Sequence, residues 1–221
     1  MNSRDTHFET LAIHAGGEDR NPKNALNYPI FMTSTFEFDS IEHADATFGF
    51  ETQDYVYTRG NNPTLKVLEE RMAALEGGAA SVAFASGMAA ISSVLMSLLK
   101  PGDEVVAHRM LYGSAWNLIK NILPRYGVSS RLVDFMSIDD LADQITARTK
   151  VVYFETPVNP SLEIIDIAAV CDIARAKGTK VVVDNTFATP FFQRPLELGA
   201  DVAVHSATKY ISGHGDVIAG I

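Results

Sequence analysis

The sequence predicts an α/β fold in which a mostly parallel β-sheet carries helices on both faces. Short runs that are apolar throughout, such as 181–183 and 202–204, recur along the chain. Strands of this kind are typical of a parallel sheet that is buried on both faces. Segments with helical periodicity separate these runs, as the crossovers between parallel strands require. The chain has 221 residues, of which 47% are hydrophobic, enough for one sizeable core.

Residues 1–60 are predicted to form an extended N-terminal arm. They have no sustained periodicity and are rich in Asn, Thr, Pro and aromatic residues. Tyr57 and Arg59 lie at the end of this arm, in a segment that alternates aromatic and polar residues. Such a segment is either an edge strand or loop with solvent-facing side chains, or a place where Tyr57 and Arg59 reach an anion, since guanidinium suits phosphate. The residues alone favour the first interpretation.

Residues 61–221 are predicted to form a large domain that begins with a helix. Asn62 caps this helix, Pro63 takes its first position, and Gly77 follows its end. Ser137, with Asp140 three residues later, resembles a capping box at the start of another helix. The predicted strands are 81–85, 104–108, 129–133, 151–154, 180–184, 202–204 and 217–221. The helices between them run from the turn at 86–88 through 99, over 112–123, from 137 onward and over 165–177.

Polar residues follow several of the predicted strands, and open α/β sheets bind ligands at the carboxyl ends of their strands. Lys209 follows an apolar run and stands near two hydroxyls, Ser206 and Thr208. It is either an amine that forms a Schiff base beside a bound phosphate or a solvated lysine in a Gly/Ser loop. Asp184 stands 25 positions earlier, which is enough for one crossover between neighbouring strands. Both residues are therefore expected at the same edge of the sheet.

Asp184 either caps a turn, binds a metal or pairs with a protonated ring nitrogen, and no ligand cluster has the spacing of a metal site. Gly87, between Ser86 and Met88, marks either a tight strand–helix turn or a helix N-terminus that binds phosphate. The dinucleotide and P-loop patterns are both missing there. Tyr112 is either a core tyrosine or a ring that stacks on a flat cofactor. Taken together, these residues describe a pyridoxal phosphate site.

Composition limits the partners and the compartment. The net charge of −9 argues against nucleic acid and anionic membranes as partners. The one cysteine, Cys171, rules out an internal disulfide and fits a reducing, cytoplasmic environment. The N-terminal residues lack the apolar core of a signal peptide, and no apolar stretch is long enough to span a bilayer. We therefore expect a cytoplasmic protein without a membrane partner.

Several motifs resemble the γ-family of pyridoxal-phosphate enzymes of cysteine and methionine metabolism, which includes cystathionine γ-synthase, cystathionine γ-lyase, methionine γ-lyase and O-acetylhomoserine sulfhydrylase. The resemblance runs from Leu11 to the last residue, and it implies the large domain of an aspartate-aminotransferase-like, fold type I enzyme. The matching motifs are YTRGNNPTL from Tyr57, ASGMAAI from Ala85, LYG from Leu111, ETPVNP from Glu155, VVVDNTFATP from Val181 and RPLELGADVAVHSATKYISGHGD from Arg194.

The resemblance also implies a role for each site residue. Lys209 would form the Schiff base with pyridoxal 5'-phosphate, and Asp184 would pair with the pyridine nitrogen. Tyr112 would stack over the ring and act as an acid–base group, and Asn159 would bond the phenolic oxygen. The phosphate would be held by the backbone amides of Gly87 and Met88 and the hydroxyls of Ser206 and Thr208, with Ser86 and Thr186 also in the cofactor-binding set.

Tyr57 and Arg59 would, by the same resemblance, reach the phosphate of a neighbouring subunit. This reverses the interpretation that the residues alone favour. It implies a homo-oligomer, in which a dimer completes each site and a tetramer is the expected assembly.

The implied activity is γ-elimination of sulfur amino acids in the manner of methionine γ-lyase, giving an α-keto acid, ammonia and a thiol. The alternatives are γ-replacement on an O-acyl-homoserine and a non-catalytic truncated fragment. Ser114 leaves the subtype open, because methionine γ-lyases commonly have Cys there and the synthases often have Gly. The family continues into a smaller C-terminal domain that supplies the arginine for the substrate carboxylate. The chain stops before that domain, so we expect little or no turnover from this chain alone.

Overall fold

The computed structural model describes residues 6–17 and 25–221. The chain divides into two compact units. The first comprises Met1–Leu75 and Ala79–Ser81, and the second comprises Glu76–Gly78 and Val82–Ile221.

Among its described residues, the first unit has three helical segments: α1 over Phe8–His14, α2 over Ile41–Phe48 and most of α3, which spans Pro63–Glu76. Asn62 caps α3 as predicted, because its Oδ1 accepts the Thr64 N–H at 2.9 Å. The extended arm predicted over residues 1–60 is not confirmed, since α1 and α2 occupy part of it. At the start of α2, Ser40 Oγ accepts the His43 N–H at 3.1 Å, and this local cap outweighs the weak periodicity.

The second unit is built on a five-stranded sheet. The strands are β1 (Glu104–His108), β2 (Ser129–Val133), β3 (Thr149–Glu155), β4 (Lys180–Asp184) and β5 (Val202–Val204), in the order β2-β1-β3-β4-β5. Every neighbouring pair is parallel. The mostly parallel sheet that the sequence predicts is therefore confirmed.

Helices cover both faces of this sheet. They are α4 (Gly87–Leu98), α5 (Gly113–Asn117), α6 (Ile138–Gln144), α7 (Ile167–Ala176) and the short α8 (Thr189–Phe192). One core joins Val106 and Val152 of the sheet to side chains of α6 and α7. The other joins Val105 and Val151 to side chains of α4 and α5. Adjacent strand residues thus enter opposite cores, as the two-residue period of a strand requires.

Four predicted elements need correction. Residues 81–85 and 217–221 form no strands, and they meet instead in one isolated antiparallel bridge between Phe84 and Gly220.

The predicted helix at 112–123 starts as α5 but continues as a π-helix over Leu118–Ile122 and a 3₁₀ turn over Leu123–Tyr126. Pro124 lies in that turn and has no N–H with which to continue an α-helical ladder. Ser137 precedes α6 without a side-chain capping bond.

None of the helices in the described ranges is both long enough and apolar enough to cross a bilayer.

Candidate active site

A cavity of about 520 Å³ lies in the second unit, lined by residues that follow the carboxyl ends of β1, β3, β4 and β5. Its volume is in the range of small-molecule sites. Ten of the twelve cofactor-binding residues that the sequence predicts line it. They are Ser86, Gly87, Met88, Tyr112, Asn159, Asp184, Thr186, Ser206, Thr208 and Lys209. Asp184 and Lys209 therefore do share one edge of the sheet, as their spacing predicts.

Asp184 is the last residue of β4 and is buried. Its Oδ1 accepts the Thr186 N–H at 3.0 Å and the Thr186 hydroxyl at 2.5 Å, and its Oδ2 accepts the Tyr153 hydroxyl at 3.4 Å. Burial raises the pKa of Asp184, although the Thr186 hydrogen bonds oppose that shift. A cation brought next to this carboxylate would offset the cost of its burial.

The N-terminus of α4 forms the wall beside the loop that follows β5. Ser86 caps the helix, because its Oγ accepts the Ala89 N–H at 3.1 Å. A Cβ at Gly87 would lie 2.6 Å from Ser206 Cβ. Glycine therefore permits an approach that a side chain would block. The positive end of the α4 dipole and the Ser206 hydroxyl lie at the same wall, which suits a phosphate.

The loop after β5 is held from two directions. The Ser206 N–H donates to Thr186 Oγ1 at 2.8 Å, which links the loop to Asp184 through Thr186. The Thr208 hydroxyl donates to Ala219 O at 3.2 Å and accepts the Ala219 N–H at 3.1 Å. To donate to a phosphate, the Thr208 hydroxyl would therefore have to give up its hydrogen bond to Ala219 O. Lys209, next along the chain, is exposed and its N–H donates to Ser206 O at 3.1 Å.

Glu155 is a site residue that the sequence analysis missed. It lines the cavity, is 6% exposed and ends β3. Its Oε2 accepts the Tyr112 N–H at 3.1 Å and its Oε1 accepts the Asn159 N–H at 3.0 Å. Burial raises the pKa of Glu155 to about 7. An acid that ends an apolar strand was the available signal, and the same signal identified Asp184.

Tyr57 and Arg59, the other two predicted residues, belong to the first unit. Both are exposed, and the Arg59 guanidinium carbon lies 5.4 Å from the centroid of the Tyr57 ring. Tyr57 also forms an isolated antiparallel bridge with Thr35. Their predicted reach to a neighbouring subunit's phosphate stays a prediction.

The residues around the cavity fit pyridoxal phosphate. Asp184 is a buried carboxylate, and a ring N–H⁺ is a suitable partner for it. The start of α4, approached closely by Ser206 at Gly87, suits the phosphate. Lys209 supplies an amine in the same cavity.

Comparisons with known proteins agree with this fit. Residues 9–221 match the model of the family described as Cys/Met metabolism PLP-dependent enzyme. The chain is 50% identical over 214 residues to an L-methionine gamma-lyase from Pseudomonas putida, covering 97% of this chain and 54% of that relative.

Two solved structures are similar along nearly the whole chain. The crystal structure of metB from Corynebacterium glutamicum matches this chain with a TM-score of 0.92 at 40% identity, and the match covers 100% of this chain and 55% of the other. A structure described as an O-acetylhomoserine (thiol)-lyase from Campylobacter jejuni has a TM-score of 0.92 at 36% identity, with 98% and 53% covered, and it contains a pyridoxyl-lysine phosphate. The chain spans about half the length of the curated relatives it matches.

Proposed function

The chain belongs to the Cys/Met metabolism PLP-dependent enzyme family, and we propose that the protein performs γ-elimination on sulfur amino acids in the manner of methionine γ-lyase. The products are an α-keto acid, ammonia and a thiol, with one water consumed. The observation that carries this proposal is the convergence of Lys209, Asp184 and the start of α4 on one cavity. The identity of 50% to an L-methionine gamma-lyase supports the choice of substrate.

Each role follows from the chemistry of the side chain. Bound pyridoxal phosphate supplies an electron sink for the carbanion formed at the substrate Cα. Lys209 Nζ would hold the cofactor and, once the substrate amine has displaced it, the freed amine would accept the Cα proton and carry protons between neighbouring substrate carbons. Asp184 keeps a proton on the ring nitrogen, and Asn159 binds the phenolic oxygen. Tyr112 stacks on the ring and protonates the departing γ-substituent, and its exposed fraction of 48% leaves the ring accessible to substrate.

The phosphate is held, in this proposal, by donors on two connections. The N–H groups of Gly87 and Met88 come from the start of α4, with Ser86 capping that helix. The hydroxyls of Ser206 and Thr208 come from the loop after β5, and Thr186 fixes that loop through its bond to the Ser206 N–H. Hydrogen-bond donors on both sides, together with the positive end of the α4 dipole, suit a dianion.

The assembly we propose is a cytoplasmic homo-oligomer. Residues 1–60 act as an arm that brings Tyr57 and Arg59 to the phosphate of a neighbouring copy, and residues 61–221 bind the cofactor. The exposure of both side chains supports this role, because an arginine that is free in one chain can bind an anion held by another. A dimer would complete each site, and a tetramer would pair two dimers.

A second candidate is γ-replacement on an O-acyl-homoserine. It is favoured by the likeness to a structure described as an O-acetylhomoserine (thiol)-lyase. Both reactions would use the same cofactor-binding residues. They differ in the thiol, which leaves the substrate in γ-elimination and is added to it in γ-replacement. Measuring α-keto acid release from methionine against sulfide incorporation into O-acetylhomoserine separates them.

Borohydride reduction of the protein with pyridoxal phosphate tests the cofactor site. We expect mass spectrometry to locate one pyridoxyl group on Lys209, and we expect Lys209→Ala to remove it. Lys150→Ala is the matched control, because the exposed Lys150 Nζ bonds Ala147 O away from the cavity, and this variant keeps the adduct. A stable adduct on any lysine other than Lys209 would refute the proposal.

A further inference from the structure

Glu155 occupies an unusual place for a carboxylate. It ends β3 directly beside Asp184, its register partner at the end of β4. It is 6% exposed, and the nearby Asp184 charge, together with burial, raises its pKa. Two buried acids on neighbouring strands disfavour each other's ionisation. A residue kept for packing alone would be better served by an apolar side chain.

The carboxylate of Glu155 joins two separate backbone connections. Tyr112 lies on the connection between β1 and α5, and Asn159 lies on the connection after β3. One oxygen accepts the N–H of the first residue and the other oxygen accepts the N–H of the second, at 3.1 and 3.0 Å. When Glu155 is ionised, both bonds have a charged acceptor, which makes them stronger than neutral ones.

A carboxylate suits this position better than an amide. Glutamine has one acceptor oxygen, and its NH₂ group donates. Glutamine at position 155 would therefore satisfy one backbone N–H and oppose the other. The pair of bonds thus requires the acid itself, and each bond ends on a residue that lines the cavity.

We propose that Glu155 is a positioning residue that sets the placement of Tyr112 and Asn159 about the bound cofactor. The inference rests on the proposed function, because it assumes that these two residues contact the cofactor. Glu155 acts through them and has no step of its own in the reaction. Losing it should change how the cofactor is held more than how the chain folds.

Glu155→Gln tests this role against a matched control, Glu104→Gln. Glu104 is equally buried but begins β1, and it bonds Thr149 and Arg131 away from the cavity. The readouts are pyridoxal phosphate affinity, the circular dichroism of the bound cofactor, and the melting temperature of the cofactor-free protein. We expect Glu155→Gln to weaken cofactor binding by about tenfold, the effect of losing one charge-assisted hydrogen bond, and to alter the circular dichroism band. Glu104→Gln should change neither.

Wild-type affinity and an unchanged band in Glu155→Gln would overturn the proposal. If Glu155→Gln fails to fold, Glu155→Asp decides, since it keeps the charge but is one methylene too short to reach both N–H groups. An altered band in that variant is expected, and an unaltered one would overturn the proposal. The proposed function fails separately, if the wild-type protein forms no adduct on Lys209.

Discussion

Asp184 and Glu155 end neighbouring strands, and burial raises the pKa of both carboxyl groups. Their settings differ, however. Asp184 accepts one backbone N–H and the hydroxyls of Thr186 and Tyr153, whereas Glu155 accepts two backbone N–H groups. Hydroxyls can rotate away to admit a ring cation, but backbone N–H groups cannot. Asp184 is thus suited to pair with the cofactor and Glu155 to hold the protein around it.

Asp184→Ala should separate cofactor attachment from catalysis. Lys209 lies outside the hydrogen bonds that Asp184 makes, so its amine should still give the pyridoxyl adduct after reduction. Without the carboxylate, the ring loses its charge, and methionine turnover by a complete chain should fall at least about a hundredfold. Mass spectrometry of the reduced protein and a keto-acid assay measure the two effects. Retained turnover would contradict the role of Asp184.

Glu155 should make stability depend on pH. Its pKa of about 7 means that the folded chain keeps a proton that the unfolded chain releases near its ordinary pKa of 4.5. The stability that this group contributes is complete below the unfolded value and is lost as pH rises through the folded one. The free energy of unfolding of the cofactor-free wild type, relative to Glu155→Gln, should therefore fall by roughly 2 kcal/mol between about pH 5.5 and 8.

Urea titrations between about pH 5.5 and 8 measure this difference, which should level off above the folded pKa. Glu104→Gln is the control. The hydrogen bonds and charge of Arg131, with Thr149 and Thr146, leave the pKa of Glu104 lowered despite its burial, so its effect should not vary over the same range. A constant difference between wild type and Glu155→Gln would contradict the prediction.

At the scale of elements, the contact between α4 and the loop after β5 depends on one glycine. Gly87→Ala would place a Cβ 2.6 Å from Ser206 Cβ and 2.8 Å from Ser206 Cα, so one of the two segments must move. We expect a loss of about 1–3 kcal/mol in the free energy of unfolding, as for overpacking in general. Cofactor affinity should fall as well, because the phosphate donors lie on both segments.

Gly113→Ala is the matched control for this change. Gly113 begins α5, has no atom within 4 Å of a built Cβ, and should tolerate alanine with no loss of stability. Thermal unfolding and a pyridoxal phosphate titration compare the two variants. Equal behaviour of Gly87→Ala and Gly113→Ala would show that the close approach at Ser206 is unimportant.

The same elements show which features a local sequence pattern can predict. Strands β4 and β5 were predictable because their apolar runs and one-crossover spacing are local, and the placement of Asp184 and Lys209 followed from them. Residues 81–85 are an apolar run too, but such a run does not distinguish a strand from a bridged segment. Glu155 ends an apolar strand, as Asp184 does, but its bond to Tyr112 spans 43 positions, so its contact with that residue leaves no local pattern.

At the scale of the whole second unit, one buried hydrogen-bond network links the beginning of the unit to its end. Glu76, the last residue of α3, accepts from His205 Nε2 at 2.6 Å and from Asn185 Nδ2 at 2.9 Å, both at its Oε1. His205 and Asn185 follow β5 and β4, next to Ser206 and Asp184. His205 lies within the long motif that begins at Arg194, and that motif indicates no partner for it. Its separation of 129 positions from Glu76 explains why the network could not be read from it.

Glu76→Ala should therefore destabilise the whole unit. His205 and Asn185 are 2% and 0% exposed, and each loses an acceptor that it now uses. Leaving a buried donor unsatisfied costs about 1–3 kcal/mol of stability. We expect a loss of roughly 3 kcal/mol in urea unfolding, together with weaker cofactor binding, because both partners flank cavity residues. Glu197→Ala is the control, since its carboxylate is 55% exposed and pairs with Arg194 at the surface, where such pairs contribute about 0–1 kcal/mol. A similar small loss in both variants would mean that the network does not hold the unit together.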